Sequence, residues 1–207
     1  MDRDESWRVI AAQRRALADL LDELSDVEWE TPSLCAGWRV RDVAAHVALA
    51  PQAPNIWAMT ADAVRARGRF HRLNHDVAVR HAQRPVSDLV DELRRHADSR
   101  RLPIVTNYRN ILFDTLVHAQ DIGLPVRRQL PMPPDAAAAA ATRVWTMGWP
   151  FWARRRLRAV RLVAEDVNWS VGAGPDVVGP IDALLLLLTG RTVALSRLTG
   201  AGLALVA

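Results

Sequence analysis

The stretch LFDTLVHAQDIG, residues 112–123, sets Asp114, His118 and Asp121 into a segment that otherwise has the pattern of a buried helix. An unpaired buried charge is costly, and Leu or Val would pack there without penalty. On a helix, Asn107, Asn110, Asp114, His118 and Asp121 fall within about 80° of one another, while Ile111, Leu112, Phe113, Leu116, Val117 and Ile122 fill the other faces. Asp114 and His118 are four apart, so their side chains project side by side and could bind a single ion. A solvent-facing Asp/His pair with no further role would show the same spacing.

A second oddity changes the balance. GWRVRDVAAHVALA places His46 among Ala44, Ala45, Val47, Ala48 and Leu49, a lone imidazole on a small-residue face. One such histidine is commonly a hydrogen-bonded structural group. Two polar oddities in one helical domain favour a shared site. Asp42 lies in the first turn of its helix, where negative charge is favourable, and reads as a cap. Trp38 is expected to plug its loop onto the bundle. Cys35 reads as a small packed residue in a loop rather than a nucleophile.

These residues need rigid elements to position them. Trp7, Ile10, Leu17, Leu20, Leu21 and Leu24 recur at helical spacings, predicting a first amphipathic helix. SDVEWETPSLCAGW interrupts it, and a second helix is expected from Val40 to near Pro51, with Pro54 confirming the break. Further helices are expected over Asn55–Arg67, Leu73–Ala82 and Asp88–Ser99, the last opened by Ser87 as N-cap. The site helix should run from about Thr106 to Ile122 and stop at Gly123 and Pro125. PPDAAAAAATRVW starts another, its alanines explained by helix propensity alone. After the arginines of ARRRLRAVR, residues 153–161, the pattern changes. AVRLVAEDVNWSVGAG alternates like a two-stranded hairpin, GPIDALLLLLTGR reads as a short buried helix, and GLALVA as a closing strand.

Composition narrows the classes. The 207 residues, half of them hydrophobic, can close one sizeable core or one core with a small appendage. All 27 basic residues are arginine, which lifts the pI to 10.7 although the net charge is only +4, so no nucleic-acid role follows from charge. One cysteine allows no internal disulfide and suits a reducing compartment. The start lacks the apolar run of a secretory signal, and IDALLLLLTG falls far short of the roughly 20 residues that span a bilayer. A cytoplasmic protein without a membrane partner is expected. The arginine run reads as a solvated face at the domain junction, with an anion clamp as the functional alternative. His71, His75, His81 and His96 lie in polar, arginine-rich surroundings and are expected to be exposed.

LSDVEWETPSLCAGWRVRDVAAHVALA followed by LFDTLVHAQDIGLP resembles the DinB-like superfamily of four-helix metalloproteins, and within it the mycothiol-dependent maleylpyruvate isomerase family. The first motif matches from Leu24 to His46; the second matches in its histidine, in Asp121 and in the helix exit. VNWSVGAGPDVVGPIDALLLLLTGR is similar to the small C-terminal domain of that branch. The middle, from about Pro51 to Pro103, carries no such motif. The resemblance implies a mainly α fold: a DinB-like up-down four-helix bundle over residues 1–156 and a small α+β C-terminal domain over 157–207. It implies a divalent metal, foremost Zn²⁺, held by His46, Asp114 and His118; Asp121, one turn beyond His118, is placed to accept from a ligating imidazole or to pack the helix rather than to be a fourth ligand. Many relatives carry histidine where Asp114 stands, and the maleylpyruvate isomerase branch carries glutamate, one methylene longer.

It also implies mycothiol as the thiol cosubstrate and a small electrophile as substrate. The thiolate adds to a cis double bond, rotation follows, and elimination leaves the trans isomer; thiol S-transfer would use the same site. Two other classes stay open on the residues alone, a hydrolase using metal-bound water and a non-enzymatic metal-binding or regulatory module. The chain is expected to act as a monomer or homodimer.

Overall fold

The computed structural model describes residues 1–52, 70–102 and 106–206, except the side chains of 70–74. Helix α1, Arg3–Asp22, opens on a capping box in which Asp2 accepts from the Glu5 backbone and Glu5 accepts from that of Asp2. A single turn, α2 (Asp26–Trp29), leads into α3, Val40–Leu49. Helices α4 (Phe70–His81) and α5 (Val86–Arg95) follow, then α6 (Tyr108–Gly123) and α7 (Pro134–Thr146). The helix expected over Asn55–Arg67 lies outside the described residues.

The apolar stripes meet in two clusters. Leu17 and Leu21 of α1 pack with Val43 and Val47 of α3, Leu89 and Leu93 of α5, and Ile122 of α6. Trp7, Ile10, Leu112 and Leu116 pack with the buried alanines of α7, where small side chains let the backbones approach closely. This second cluster continues without a break into the C-terminal residues Leu157, Leu162, Val177, Leu184 and Leu188.

After a short turn, α8 (Ala153–Arg156), comes a three-stranded sheet in the order β2-β1-β3. Strand β1 (Arg161–Ala164) pairs antiparallel with β2 (Ser170–Gly172), with Leu162 opposite Val171, as the alternation predicts. It pairs parallel with β3 (Asp176–Gly179), which was not expected. Helix α9 (Ile181–Leu188) is buried on nearly every side and packs chiefly on α7. The chain is thus mainly α with a small α+β part. Among the described residues no helix is long and apolar enough to cross a membrane.

Three local expectations are corrected. Leu203–Leu205 of GLALVA form a 3₁₀ turn, because the Gly202 and Leu203 amides already bond to Asp176 and Gly200 and leave no ladder to extend. Ser87 does not cap α5, which starts one residue earlier behind Pro85 and has no side-chain cap. Gly123 ends α6 from inside the helix, where any Cβ would collide with the Arg128 carbonyl.

Candidate metal centre

The site is assembled by α3, α6 and the loop between α2 and α3. Asn107 starts α6, its side chain accepting from the Arg109 and Asn110 amides at 3.0 and 3.2 Å. Asn110 accepts from Arg143 Nε of α7 at 2.8 Å. These two members of the polar stripe therefore serve the fold, while Asp114, His118 and Asp121 turn toward α3 and the loop. Asp42 caps α3 as expected, accepting the Arg39 amide at 2.9 Å and gripping the Arg39 guanidinium with both oxygens.

His46, Asp114 and His118 converge. Each offers a ligand atom within 4.8 Å of the others. His46 Nε2 lies 3.6 Å from Asp114 Oδ2, and His118 Nε2 lies 3.4 Å from Asp114 Oδ1. Those separations are long for hydrogen bonds. They run to different oxygens of Asp114, and each is near the roughly 3.4 Å edge of a tetrahedron whose arms are about 2.1 Å. The donor set, two imidazoles and one carboxylate, suits such an ion and leaves a fourth position open.

Behind His118 a chain of charges runs into the C-terminal part. Asp121 Oδ2 accepts from His118 Nδ1 at 2.8 Å, which assigns the proton to Nδ1 and leaves Nε2 aimed at Asp114. Asp121 is fully buried, and Arg191, just past α9, grips it at 2.9 Å through Nε and 2.6 Å through Nη2. Cys35 Sγ donates to Asp121 Oδ2 at 3.1 Å and accepts from Arg191 at 3.4 Å. Cys35, His118 and Asp121 form a second group of possible ligand atoms, but the Asp121 oxygens are already engaged by Arg191.

Burial alone would raise the Asp114 carboxyl; the imidazoles of His118 and His46 outweigh it and hold it well below the ordinary carboxylate range. Burial would lower His118, but Asp114, Asp121 and Cys35 lift it well above its ordinary value. Asp121 is likewise held down, against burial, by His118 and Arg191.

Trp38 does more than plug the loop. Its indole stacks on the His118 ring at 6.5 Å between centroids and meets His46 edge-on at 5.5 Å. Gly37, at φ 80°, makes the turn that presents it, and Leu34 N–H donates to the Asp121 carbonyl at 3.2 Å, clasping the loop to α6. Of the histidines expected to be exposed, the His71 side chain lies outside the described residues, and His75 is only partly exposed, its ring 6.1 Å from Trp38. His81 is not exposed, because it bonds to buried Glu92 at 2.7 Å, and His96 is half-buried.

Arg191 and Arg14 had gone unnoticed in the sequence. Arg191 had one signal, a charge directly after the most apolar stretch of the chain. Arg14 had a clearer one, since it sits four residues after Ile10 and three before Leu17 on the buried face of α1. It is 1 % exposed and donates to the carbonyls of His96, Ala97 and Ser99 at 3.4, 3.3 and 3.0 Å. Burial lowers its pKa to about 10, partly offset by the charge of Asp114.

A helical bundle enclosing two imidazoles and a carboxylate, with an arginine brought in by a small α+β unit, defines a class of candidate metalloprotein. Residues 10–104 match the family described as mycothiol maleylpyruvate isomerase N-terminal domain. The segment holds Cys35, Trp38 and His46 but ends before Asp114. Over nearly the whole length the fold is similar to the crystal structure of the mycothiol-dependent maleylpyruvate isomerase, with a TM-score of 0.63 and 14% identity over 97% of this chain and 93% of that one. A histidine-to-alanine mutant of that isomerase superposes with a TM-score of 0.59 and 13% identity over the same shares. No curated protein matches the sequence.

Proposed function

We propose that this protein is a divalent-metal enzyme that works with a low-molecular-weight thiol of the mycothiol type on a small electrophile, as a thiol-dependent cis–trans isomerase. One observation carries the reading: His46, Asp114 and His118, from helices far apart in sequence, each bring a ligand atom within 4.8 Å of the others, close enough to share an ion. Zn²⁺ suits the donors, and when bound it would lower the pKa of a thiol and hold the thiolate. His46 and His118 would present Nε2, and Asp114 one oxygen. Asp121 keeps the His118 proton on Nδ1, so that Nε2 keeps its lone pair, and Arg191 neutralises Asp121 so that it does not take that proton. Trp38 closes one wall of the site against water. In this reading residues 1–156 supply the ligands and residues 157–207 the supporting arginine.

The solved structures of like fold, those of a mycothiol-dependent maleylpyruvate isomerase, favour thiol chemistry over hydrolysis. The test is elemental analysis of the purified protein, then an assay with maleylpyruvate with and without mycothiol. About one zinc per chain and isomerisation only with the thiol are expected. A protein that neither carries nor takes up a divalent metal would overturn the reading, and turnover without any thiol would transfer it to the hydrolytic class.

A further inference from the structure

The arginine run leaves a feature that the metal centre does not use. Phe151, Trp152, Arg155, Arg156 and Arg158 line a pocket of about 560 Å³ that contains no acidic residue. Its frame is anchored: Ala153 and Leu157 are buried, and the Phe151 ring meets Phe113 edge-on at 5.7 Å, next to Asp114 on α6. Arg156 Nη2 donates to the carbonyls of Leu187 and Leu188 at 3.0 and 2.8 Å, closing the end of α9.

The rest of the lining is unspent. Elsewhere on the surface Arg15, Arg39, Arg41, Arg84, Arg94, Arg100, Arg128 and Arg197 each reach a carboxylate. Among the described residues Arg155 and Arg158 reach none. Trp152 is 53 % exposed and sits at φ 49°, a left-handed conformation that bulky side chains seldom adopt and Asn or Gly would fill without strain. An exposed indole in that conformation stands beside guanidiniums that meet no carboxylate among the described residues, and such strain gathers where a ligand is held.

We propose that this pocket binds a phosphate-bearing organic molecule, its phosphate on the Arg155 and Arg158 guanidiniums and its apolar part against the Trp152 indole. Guanidinium forks match phosphate oxygens two at a time, and an indole face takes a flat or hydrocarbon group. A second copy of the same face is excluded by charge, since it would set arginines against arginines. The phosphate could come from a free nucleotide or from a phospholipid headgroup, which share this chemistry.

The test is calorimetric titration of the full chain with ADP and with inorganic phosphate, beside co-sedimentation with phosphatidylcholine vesicles with and without phosphatidylglycerol. Saturable one-to-one binding of ADP, weakened about tenfold or more in Arg155→Gln/Arg158→Gln, is the result expected for a free ligand. Trp152→Asn, which keeps the backbone preference, should weaken ADP several-fold and leave inorganic phosphate unchanged. Binding only to vesicles containing phosphatidylglycerol, lost in the same arginine variant, supports the headgroup source. Binding to neither, or binding as tight in the arginine variant as in the native protein, overturns the proposal. Thermal melts of both variants matching the native chain exclude misfolding as the cause of a loss.

Discussion

Asp114 stands between two imidazoles, and the proposed ion makes a definite demand on it. Asp114→Ala should abolish tight zinc binding and thiol-dependent activity together, whereas Asp114→Glu should retain part of both, because the helix absorbs a methylene more easily than a lost charge. Zinc titration into each metal-free variant decides this, and native affinity in the alanine variant would remove the residue from the centre. Were Asp114 merely a partner of His118, the alanine change would cost at most about 1 kcal/mol of stability. Asp121 should behave differently. Asp121→Asn keeps the shape but weakens the acceptor for His118 Nδ1–H and leaves Arg191 without its counter-charge. Zinc affinity should fall about 10- to 100-fold, the range found for carboxylates behind ligating histidines, while stoichiometry stays at one.

Among the elements, α5 holds another buried charge cluster. Glu92, 6 % exposed, accepts from His81 at 2.7 Å, from Gln52 at 3.3 Å and from Arg84, tying α5 to α4 and to the end of α3. Burial pushes its carboxyl up, but His81 and Arg84 pull it further down, so its folded pKa lies below the ordinary 4.5. A carboxyl depressed by folding lends stability that is complete above its unfolded pKa and is lost as pH falls through the folded value. Glu92→Gln should therefore cost about 2 kcal/mol at pH 7. In urea titrations that difference should shrink steadily below about pH 4.

Such elements were legible to different degrees. Helices α1, α3, α6 and α7 followed from apolar spacing and from proline breaks, signals local to each segment. His46, Asp114 and His118 stood out because polar groups interrupted apolar faces. Strand β3 did not, since DVVG is short and its partner β1 lies twelve residues or more upstream. The roles of Arg191 and Trp38 were hidden for the same reason: what each touches lies in another element, and spacing carries no record of it.

For the whole molecule, the continuity of the core between α7 and α9 means that the C-terminal part is no loose appendage, and Arg191 ties it to Asp121 behind His118. Arg191→Met should leave Asp121 buried without its cationic partner and lower zinc affinity about tenfold, with no ligand touched. Calorimetric zinc titration of that variant checks it, and unchanged affinity would reduce Arg191 to a packing residue. The Asp121–Arg191 bond has one more consequence. Two equilibria that share a state must couple equally in both directions, so whatever affinity the seated C-terminal part lends the ion, the ion must return as seating strength. A tenfold coupling corresponds to about 1.4 kcal/mol. Adding zinc should accordingly slow amide hydrogen exchange across residues 181–197, far along the chain from His46, and in Arg191→Met that slowing should vanish.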